Sequence, residues 1–285
     1  MRRRAVLQAL DGAFSGGEAA KALSGVDIIG DIGIIKVPDS LAERRHEIGE
    51  RVLKRMPSLK AVYRQTSPVS IIERVREIEW LAGEERTITK HVESGCSFKV
   101  DVARVYFSPR LSFERCRVAG MAHPGEVVVN MFAGVGTFSI IMAKLAEVRM
   151  VYSIDSNPTA YELMLENVEM NRMADRVIPL MGDAKDFVQS LQGRADRVLM
   201  PLPELAIDYL GFAVGYLGRT GWLHVYLHIE DKTKGEAAAK GERQVREGAA
   251  AIFNIREMQS RVVRSVGSRT FQVVVDAFGE RRTQI

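Results

Sequence analysis

The sequence predicts an α/β protein, a doubly wound and mainly parallel sheet preceded by a small α+β domain. Three observations carry that prediction. The stretch EVVVNMFAGVGTFS, from Glu126 to Ser139, reads as a β-branched strand, a tight Gly134-x-Gly136 turn and an apolar helix. Downstream of it, strand-like and helix-like segments alternate to the C-terminus. Upstream, short β-rich pieces surround one amphipathic helix.

At 285 residues the chain is long enough for one large domain or two ordinary ones. With 46% hydrophobic and 27% charged residues it can bury a full core, which excludes a disordered or fibrous chain. The formal net charge of +4 permits a nucleic-acid partner without requiring one. The two cysteines, Cys96 and Cys116, have no metal-ligand spacing and read as reduced thiols. The start, MRRRAVLQAL, has the charge pattern of a signal peptide. Asp11 and Gly12 interrupt its apolar run, however, and no small-residue cleavage site follows. No apolar stretch approaches the roughly 20 residues that span a bilayer. A cytoplasmic protein is expected.

Residues 1–25 join the basic cluster Arg2, Arg3 and Arg4 to the small-residue piece FSGGEAAKALSG and read as a solvated lead-in. Residues 26–112 form the small α+β domain. VDIIGDIGIIKV gives two β-rich pieces around Gly30-Asp31, a hairpin signal. Pro38-Asp39-Ser40 starts a helix with apolar positions Leu41, Ile48, Val52 and Leu53, and Pro57 closes it. KAVYRQT over 60–66 reads as a strand. Over 70–82 the pattern fits helix or strand, with a strand favoured at 75–81. A turn at Gly83-Glu84-Glu85-Arg86 leads to two strands, 87–92 and 97–106. Ser112 then reads as the N-cap of a helix from about Phe113 to Met121, with Glu114 in the first turn suiting the helix dipole.

Residues 113–285 carry the regular alternation. A strand at 148–154 ends in Asp155, and a helix follows from about Pro158 to Arg172. A strand at 176–181 ends in Gly182-Asp183, with a helix at about 184–191. A strand at 196–200 ends in Pro201-Leu202-Pro203-Glu204, with a helix at about 204–217. Gly218 and Gly221 flank the next turn. A strand at 222–228, a polar alanine-rich helix at about 235–253, and strands near 257–265 and 270–277 complete the chain. The last two, joined across Gly267-Ser268 by a hairpin, are expected to be antiparallel.

In an open α/β sheet a ligand sits beyond the carboxyl ends of the strands. The sequence lines up four groups there: Phe132, Ala133, Gly134 and Gly136; Asp155 with Ser156; Asp183 with Ala184; and Pro201, Leu202 and Pro203. Glycine in the turn lets the backbone approach a cofactor. Asp155 lies 19 residues after Gly136 (155 − 136 = 19), where a carboxylate accepts from ribose hydroxyls. Asp183 ends the third strand, where an adenine amino group is read. A dinucleotide would call for a third glycine where Ser139 stands. S-adenosylmethionine has no pyrophosphate and does not need it, and the antiparallel last pair also fits its methyltransferases.

The ordered blocks YFSPRLSFER, VVVNMFAGVGTFSI, SIDSNPTA and DRVLMPLPELA carry a family resemblance. DIIGDIGIIKVP, ERVRE…WLAGEERT and GCSFKVDVARVYFSPRL extend it upstream. Together they resemble the archaeal and eukaryotic tRNA (guanine-N1) methyltransferases acting at position 37, from about Val26 to the C-terminus. The resemblance implies a Rossmann-like class I domain that uses S-adenosylmethionine to methylate N1 of the guanosine 3′ of the anticodon. It implies tRNA as partner, through the anticodon stem-loop, and no membrane; a monomer is expected. By the same resemblance Glu114 is the general base, Arg110 and Arg74 position the guanine or stabilise charge at its O6, Arg115 lies at the cofactor, and Tyr106 lies near it. The chemistry is consistent: guanine N1 must lose a proton before it attacks, a partly desolvated carboxylate can take it, and a guanidinium offsets charge on O6. No metal is implied.

Three departures stand out. Relatives often have Asn-Leu-Pro where this chain has Pro201-Leu202-Pro203, and Asp where it has Asn130. About 25 residues precede the resemblance, so a short form without the N-terminal domain that touches the tRNA elbow is expected. Aminocarboxypropyl transfer within wybutosine synthesis and non-catalytic RNA binding are the alternative functions. Arg110 and Glu114, four apart on a helix, also fit a plain surface ion pair. His224 and His228 flank Tyr226 on a strand, as core or cleft wall, and 231–246 reads as a solvated helix face.

Overall fold

The structure is a computed structural model that describes residues 26–66 and 77–282. The lead-in over 1–25 and Arg74 lie outside the described residues. Two compact units divide between Ser112 and Phe113.

In the first unit, β1 (Val26–Ile29) and β2 (Ile32–Ile35) form the expected antiparallel hairpin. A 3-10 turn over Asp39–Arg44 runs into α1 (Arg45–Arg55), so the helix begins later than Pro38 suggests. Next come β3 (Ala61–Gln65), parallel to β2, and β4 (Ile78–Gly83), antiparallel to β3. One side of α1 buries Ile48 and Val52 against Ile35, Leu41, Leu59, Val62 and Leu81, a small core with apolar spacing that explains the helix. A separate hairpin joins β5 (Ile88–Glu93) to β6 (Cys96–Asp101). β6 ends five residues short of the expected 106. The Asp101 carboxylate accepts from the Ala103 N–H at 3.0 Å and its carbonyl accepts from Arg104 and Val105, which turns the chain out of the strand.

The division falls just after the first residue of α2 (Ser112–Ala119), and the rest of this helix opens the second unit. Ser112 is not its N-cap. A 3-10 turn over Pro109–Leu111 leads in, and Ser112 already has helical angles. A seven-stranded sheet follows, in the order β12-β13-β11-β10-β7-β8-β9. Its strands are β7 (Val127–Asn130), β8 (Met150–Asp155), β9 (Val177–Met181), β10 (Ala195–Met200), β11 (Leu217–Glu230), β12 (Phe253–Ser265) and β13 (Thr270–Arg281). The strands from β9 across to β11 are parallel, while β13 is antiparallel to both β11 and β12. Pro179 is tolerated because β9 is an edge strand. Between strands run α3 (Thr137–Leu145), α4 (Pro158–Met170), α5 (Val188–Leu191), α6 (Leu210–Tyr216) and α7 (Lys234–Ala249). The Asn157 side chain caps α4, accepting from the Thr159 and Ala160 N–H groups, and Pro158 takes the first helical position. On α7, Ala237, Gly241, Val245 and Ala249 are buried, so the polar run is solvated on one side only.

Two expectations fail around β11. The helix expected over 204–217 shrinks to α6, because the bonds Leu205–Leu202 and Leu210–Ile207 close tight turns and the single helical bond between them, Tyr209–Leu205, is not continued on both sides. β11 begins at Leu217, so Gly218 and Gly221 lie inside a 14-residue strand instead of flanking a turn. Gly221 is needed there for close approach: a Cβ would sit 2.6 Å from the Asp196 carbonyl oxygen and 2.7 Å from Leu217 Cδ2. Among the described residues no helix is long and apolar enough to cross a membrane.

The Asp196 carbonyl is backbone, fixed where β10 and β11 shift register. Gly221→Ala is therefore expected to destabilise the protein by about 1–3 kcal/mol, read as a lower urea midpoint at unchanged slope.

Candidate active site

The parallel strands β7, β8, β9 and β10 bring their carboxyl ends to one edge of the second unit. After β7 the chain turns through Gly134 (φ 56°) and Gly136 (φ 85°), left-handed angles that favour glycine. For Gly136 the second constraint is internal packing: a Cβ would meet Met164 Cγ at 3.0 Å and Ile140 Cδ1 at 3.2 Å. Asp155 ends β8 and ties the turn down. Its Oδ2 accepts from the Gly134 N–H at 2.6 Å and its Oδ1 from the Asn157 N–H at 3.0 Å. Burial pushes its pKa up, and the two N–H groups oppose that only in part. Each oxygen keeps acceptor capacity for a hydroxyl, so the residue fits a ribose diol. Ser156 beside it is exposed.

Asp183 ends β9. Its carboxylate accepts from the Tyr209 hydroxyl at 2.8 and 3.0 Å and from the Lys185 N–H at 3.0 Å. Burial works against its charge, but the Lys185 N–H and ammonium and the Tyr209 hydroxyl outweigh it and leave the pKa lowered. The Tyr209 ring lies 5.4 Å from that of Phe132, edge to face. Ala133, Ala184, Leu202 and Pro203 are buried and Pro201 is half-buried. Asn130 is fully buried, donating to Ser139 Oγ at 3.0 Å.

Glu114 sits on α2 with 1% of its surface exposed. Arg117, one turn on, donates to it from Nη2 at 2.7 Å and from Nε at 3.0 and 3.1 Å. Arg261 of β12 donates to Oε2 at 2.9 Å, and the Tyr226 hydroxyl to Oε1 at 2.8 Å. Burial and the Glu114 carboxylate push the Tyr226 pKa well up, so it stays a neutral donor. Met200, the last residue of β10, pairs with Val225, so Tyr226 lies one residue past the carboxyl end of β10. The Glu114 carboxylate is thereby held at the level where ligands of such sheets bind.

The contacts continue away from Glu114. Arg117 Nη1 donates to Asp276 Oδ2 at 2.7 Å. Asp276 faces His224 across β13 and β11, and His224 Nδ1 lies 2.5 Å from Asp276 Oδ1. Arg197 Nη1 lies 2.6 Å from His224 Nε2. A guanidinium can only donate, so Nε2 accepts and Nδ1–H donates to Asp276. Burial lowers the His224 pKa, in keeping with that neutral ring. Arg197 is fully buried and ends the row on Glu126, donating at 2.7 and 2.9 Å.

Arg115 is buried, its guanidinium 5.9 Å over the Phe138 ring. In the first unit Tyr106 is half-buried, and Arg110 donates to Asp27 Oδ1 at 2.7 Å. Within its own unit Arg110 pairs with Asp27, and within the second unit Glu114 is held by Arg117, Arg261 and Tyr226. Sequence reasoning missed Arg117, Asp276, Arg197, Glu126 and Arg261. The legible signal was the His224-x-Tyr226-x-His228 alternation, which places polar rings on one face of a strand.

Arg117→Met leaves Glu114 and Asp276 buried without that cation. A loss of about 3–5 kcal/mol in urea unfolding is expected. His224 makes stability pH-dependent. Its folded pKa lies below the ordinary 6.5, so the unfolded ring takes up its proton first as pH falls. Stability therefore drops below about pH 6.5, by up to ~1.4 kcal/mol per unit, until the folded pKa is reached. Asp155, with a raised carboxyl pKa, acts in the opposite direction from 3.8 upward. The His224 share is the difference between wild type and His224→Gln in unfolding titrations from about pH 5.5 to 7.

Residues 89–253 match the TRM5/TYW2 methyltransferase domain, and residues 6–87 match the TYW2 N-terminal domain. The chain is 38% identical over 251 residues to the tRNA (guanine(37)-N(1))-methyltransferase Trm5b of Pyrococcus abyssi, covering 88% of this chain and 73% of that one. It is 38% identical over 253 residues to the tRNA 4-demethylwyosine(37)-methyltransferase Taw21 of Saccharolobus solfataricus, covering 88% and 92%. A tRNA(Phe) (4-demethylwyosine(37)-C(7)) aminocarboxypropyltransferase of Methanocaldococcus jannaschii is 33% identical over 253 residues, covering 89% and 97%. Among solved structures, Trm5b of P. abyssi superposes with TM-score 0.82 at 34% identity, over 94% of this chain and 79% of that one. TYW2 of M. jannaschii in complex with AdoMet gives 0.70 at 28% identity, over 90% and 100%. The sheet order, the strand-end carboxylates and these matches agree: the chain belongs to the TRM5/TYW2 methyltransferase family.

Proposed function

We propose that this chain transfers the methyl group of S-adenosylmethionine to N1 of the guanosine at position 37 of tRNA. The observation that carries proton removal in this reading is the Glu114 carboxylate, buried at the level of the strand ends and oriented by Arg117 and Tyr226. All three relatives are named for position 37 of tRNA, and the hydroxyls and amino group of the family's cofactor match the carboxylate acceptors at the strand ends. S-adenosylmethionine, when bound, supplies an electrophilic carbon next to its sulfonium.

The chain's own residues do the rest. Asp155 accepts from the ribose hydroxyls, and Asp183 with Phe132 and Tyr209 borders the adenine. Gly134, Gly136, Ala133, Ser156, Ala184 and the Pro201-Leu202-Pro203 segment line the cofactor, with Arg115 and Tyr106 near it. Glu114 takes the N1 proton of the guanine. To do so it must release one of its donors. Arg261 is the one to leave, because it is 37% exposed while Arg117 is 16% exposed and Tyr226 is buried. Arg110 and Arg74 serve the guanine O6.

A second reading has its own support. The TYW2-type N-terminal match and the similarity to the Taw21 and aminocarboxypropyltransferase relatives favour a tricyclic 4-demethylwyosine substrate. Mass spectrometry of nucleosides from tRNA incubated with protein and cofactor separates these products; 1-methylguanosine is expected. With that assay Glu114→Gln should lose about 10²–10⁴-fold in transfer rate while cofactor affinity, measured by calorimetry, stays near wild type. An unchanged rate removes Glu114 from the role of base.

A further inference from the structure

His228 is not used by the chemistry above, and its surroundings are unusual. It lies in β11 two residues after Tyr226, so both side chains stand on the same face about 7 Å apart along the strand. Tyr226 holds Glu114, so His228 is the next side chain along that face, beyond the end of β10. Its Nδ1 lies 3.3 Å from Glu204 Oε1, and Glu204 belongs to the segment that leaves β10 through Pro201. Its Nε2 is buried with no hydrogen-bond partner among the described residues. Buried polar atoms are rarely left so, and one beside a substrate region calls for a ligand group.

The Glu204 carboxylate can only accept, so it favours the proton on Nδ1 and leaves Nε2 as an acceptor. The partner must therefore be a donor. The edge of guanine that carries N1 offers two, the N1–H and the exocyclic 2-amino group. Glu114 takes the first. We propose that His228, oriented by Glu204, accepts a hydrogen bond from the 2-amino group of the target guanine and is a specificity-determining residue. The inference rests on guanosine being the substrate. It also accounts for Pro201: a proline side chain has no polar atom to offer the base, and the neighbouring strand supplies one instead.

The test compares two tRNA transcripts, one with guanosine and one with inosine at position 37, since inosine lacks only the 2-amino group. Wild-type protein is expected to favour guanosine by about 10–100-fold in kcat/KM. His228→Leu, which removes the acceptor, should bring that ratio to about one, while His228→Gln, which keeps an acceptor oxygen, should retain part of it. The ratio is taken within each variant, so a lower folded fraction does not move it. S-adenosylmethionine affinity of both variants, by calorimetry, should match wild type. Equal use of both transcripts by wild type, or discrimination that survives in His228→Leu, overturns the assignment alone. Cofactor affinity weakened tenfold or more in His228→Leu also overturns it, because Nε2 would then meet the cofactor's ammonium. Absence of methylated guanosine with wild-type protein removes the proposed function and this assignment with it.

Discussion

The row Glu114, Arg117, Asp276, His224, Arg197, Glu126 is the constraint on which the second unit depends. One face of the sheet is closed with hydrocarbon: Val198, Met200, Leu223, Val225, Leu227 and Val273 share a core cluster with Ala237 and Val245 of α7. The other face of β11 and β13 is closed with charge. With Arg261 the row holds three carboxylates and three guanidiniums and so is neutral, while His224 passes a hydrogen bond between Asp276 and Arg197 without a charge of its own. Taking such groups out of water costs several kcal/mol each, and only well-formed pairing offsets it. Hydrocarbon packing tolerates sliding. This arrangement does not, because a displacement of α2 by a fraction of a turn would strand Glu114 and Asp276 together.

That rigidity bears on the site. Glu114 can act on a proton only if its oxygens are fixed, and Arg117 and Tyr226 fix them from inside while Arg261 approaches from the more exposed side. The same logic accounts for Asn130. Its amide is fully buried, donates to Ser139, and pairs in register with Ser153. Among the described residues no cation is paired with it, so an aspartate there would bury an unpaired charge, whereas an amide does not.

The sequence made legible whatever is local. Strands β7 to β10, the glycine turn, and Asp155 and Asp183 at strand ends follow from alternation, β-branching and the Asn157-Pro158 start signal, each decided within a few residues. Glu114 came from the family block YFSPRLSFER rather than from spacing, which offered only a plain ion pair with Arg110. The helix over 204–217 and the turn at Gly218 were misread because tight turns and a strand begun by glycines carry weak local signals. The charge row was invisible for a different reason. Arg117 to Asp276 spans 159 residues and Arg197 to Glu126 spans 71, and nothing in a single sequence says which arginine meets which carboxylate across such distances.

The reactions named for the relatives make one common demand on the protein. A nucleophilic atom of the base at position 37, N1 in one case and C7 in another, must shed a proton in bonding to carbon. A carboxylate held by Arg117 and Tyr226 meets that demand for either atom, so the charge row does not choose between the reactions. The choice falls to what meets the edge of the base. Under the proposed assignment that is the Pro201–Glu204 segment and the end of β11, where the backbone after β10 presents two prolines and β11 presents a histidine. Guanine offers that edge a ring N–H and an amino group, whereas in a tricyclic derivative the ring fusion consumes both. A buried acceptor at His228 is matched by the first and left unpaired by the second, a difference on the order of 1–3 kcal/mol. On that assignment substrate choice and proton removal fall to different parts of one strand, Tyr226 serving the base and His228 reading the purine.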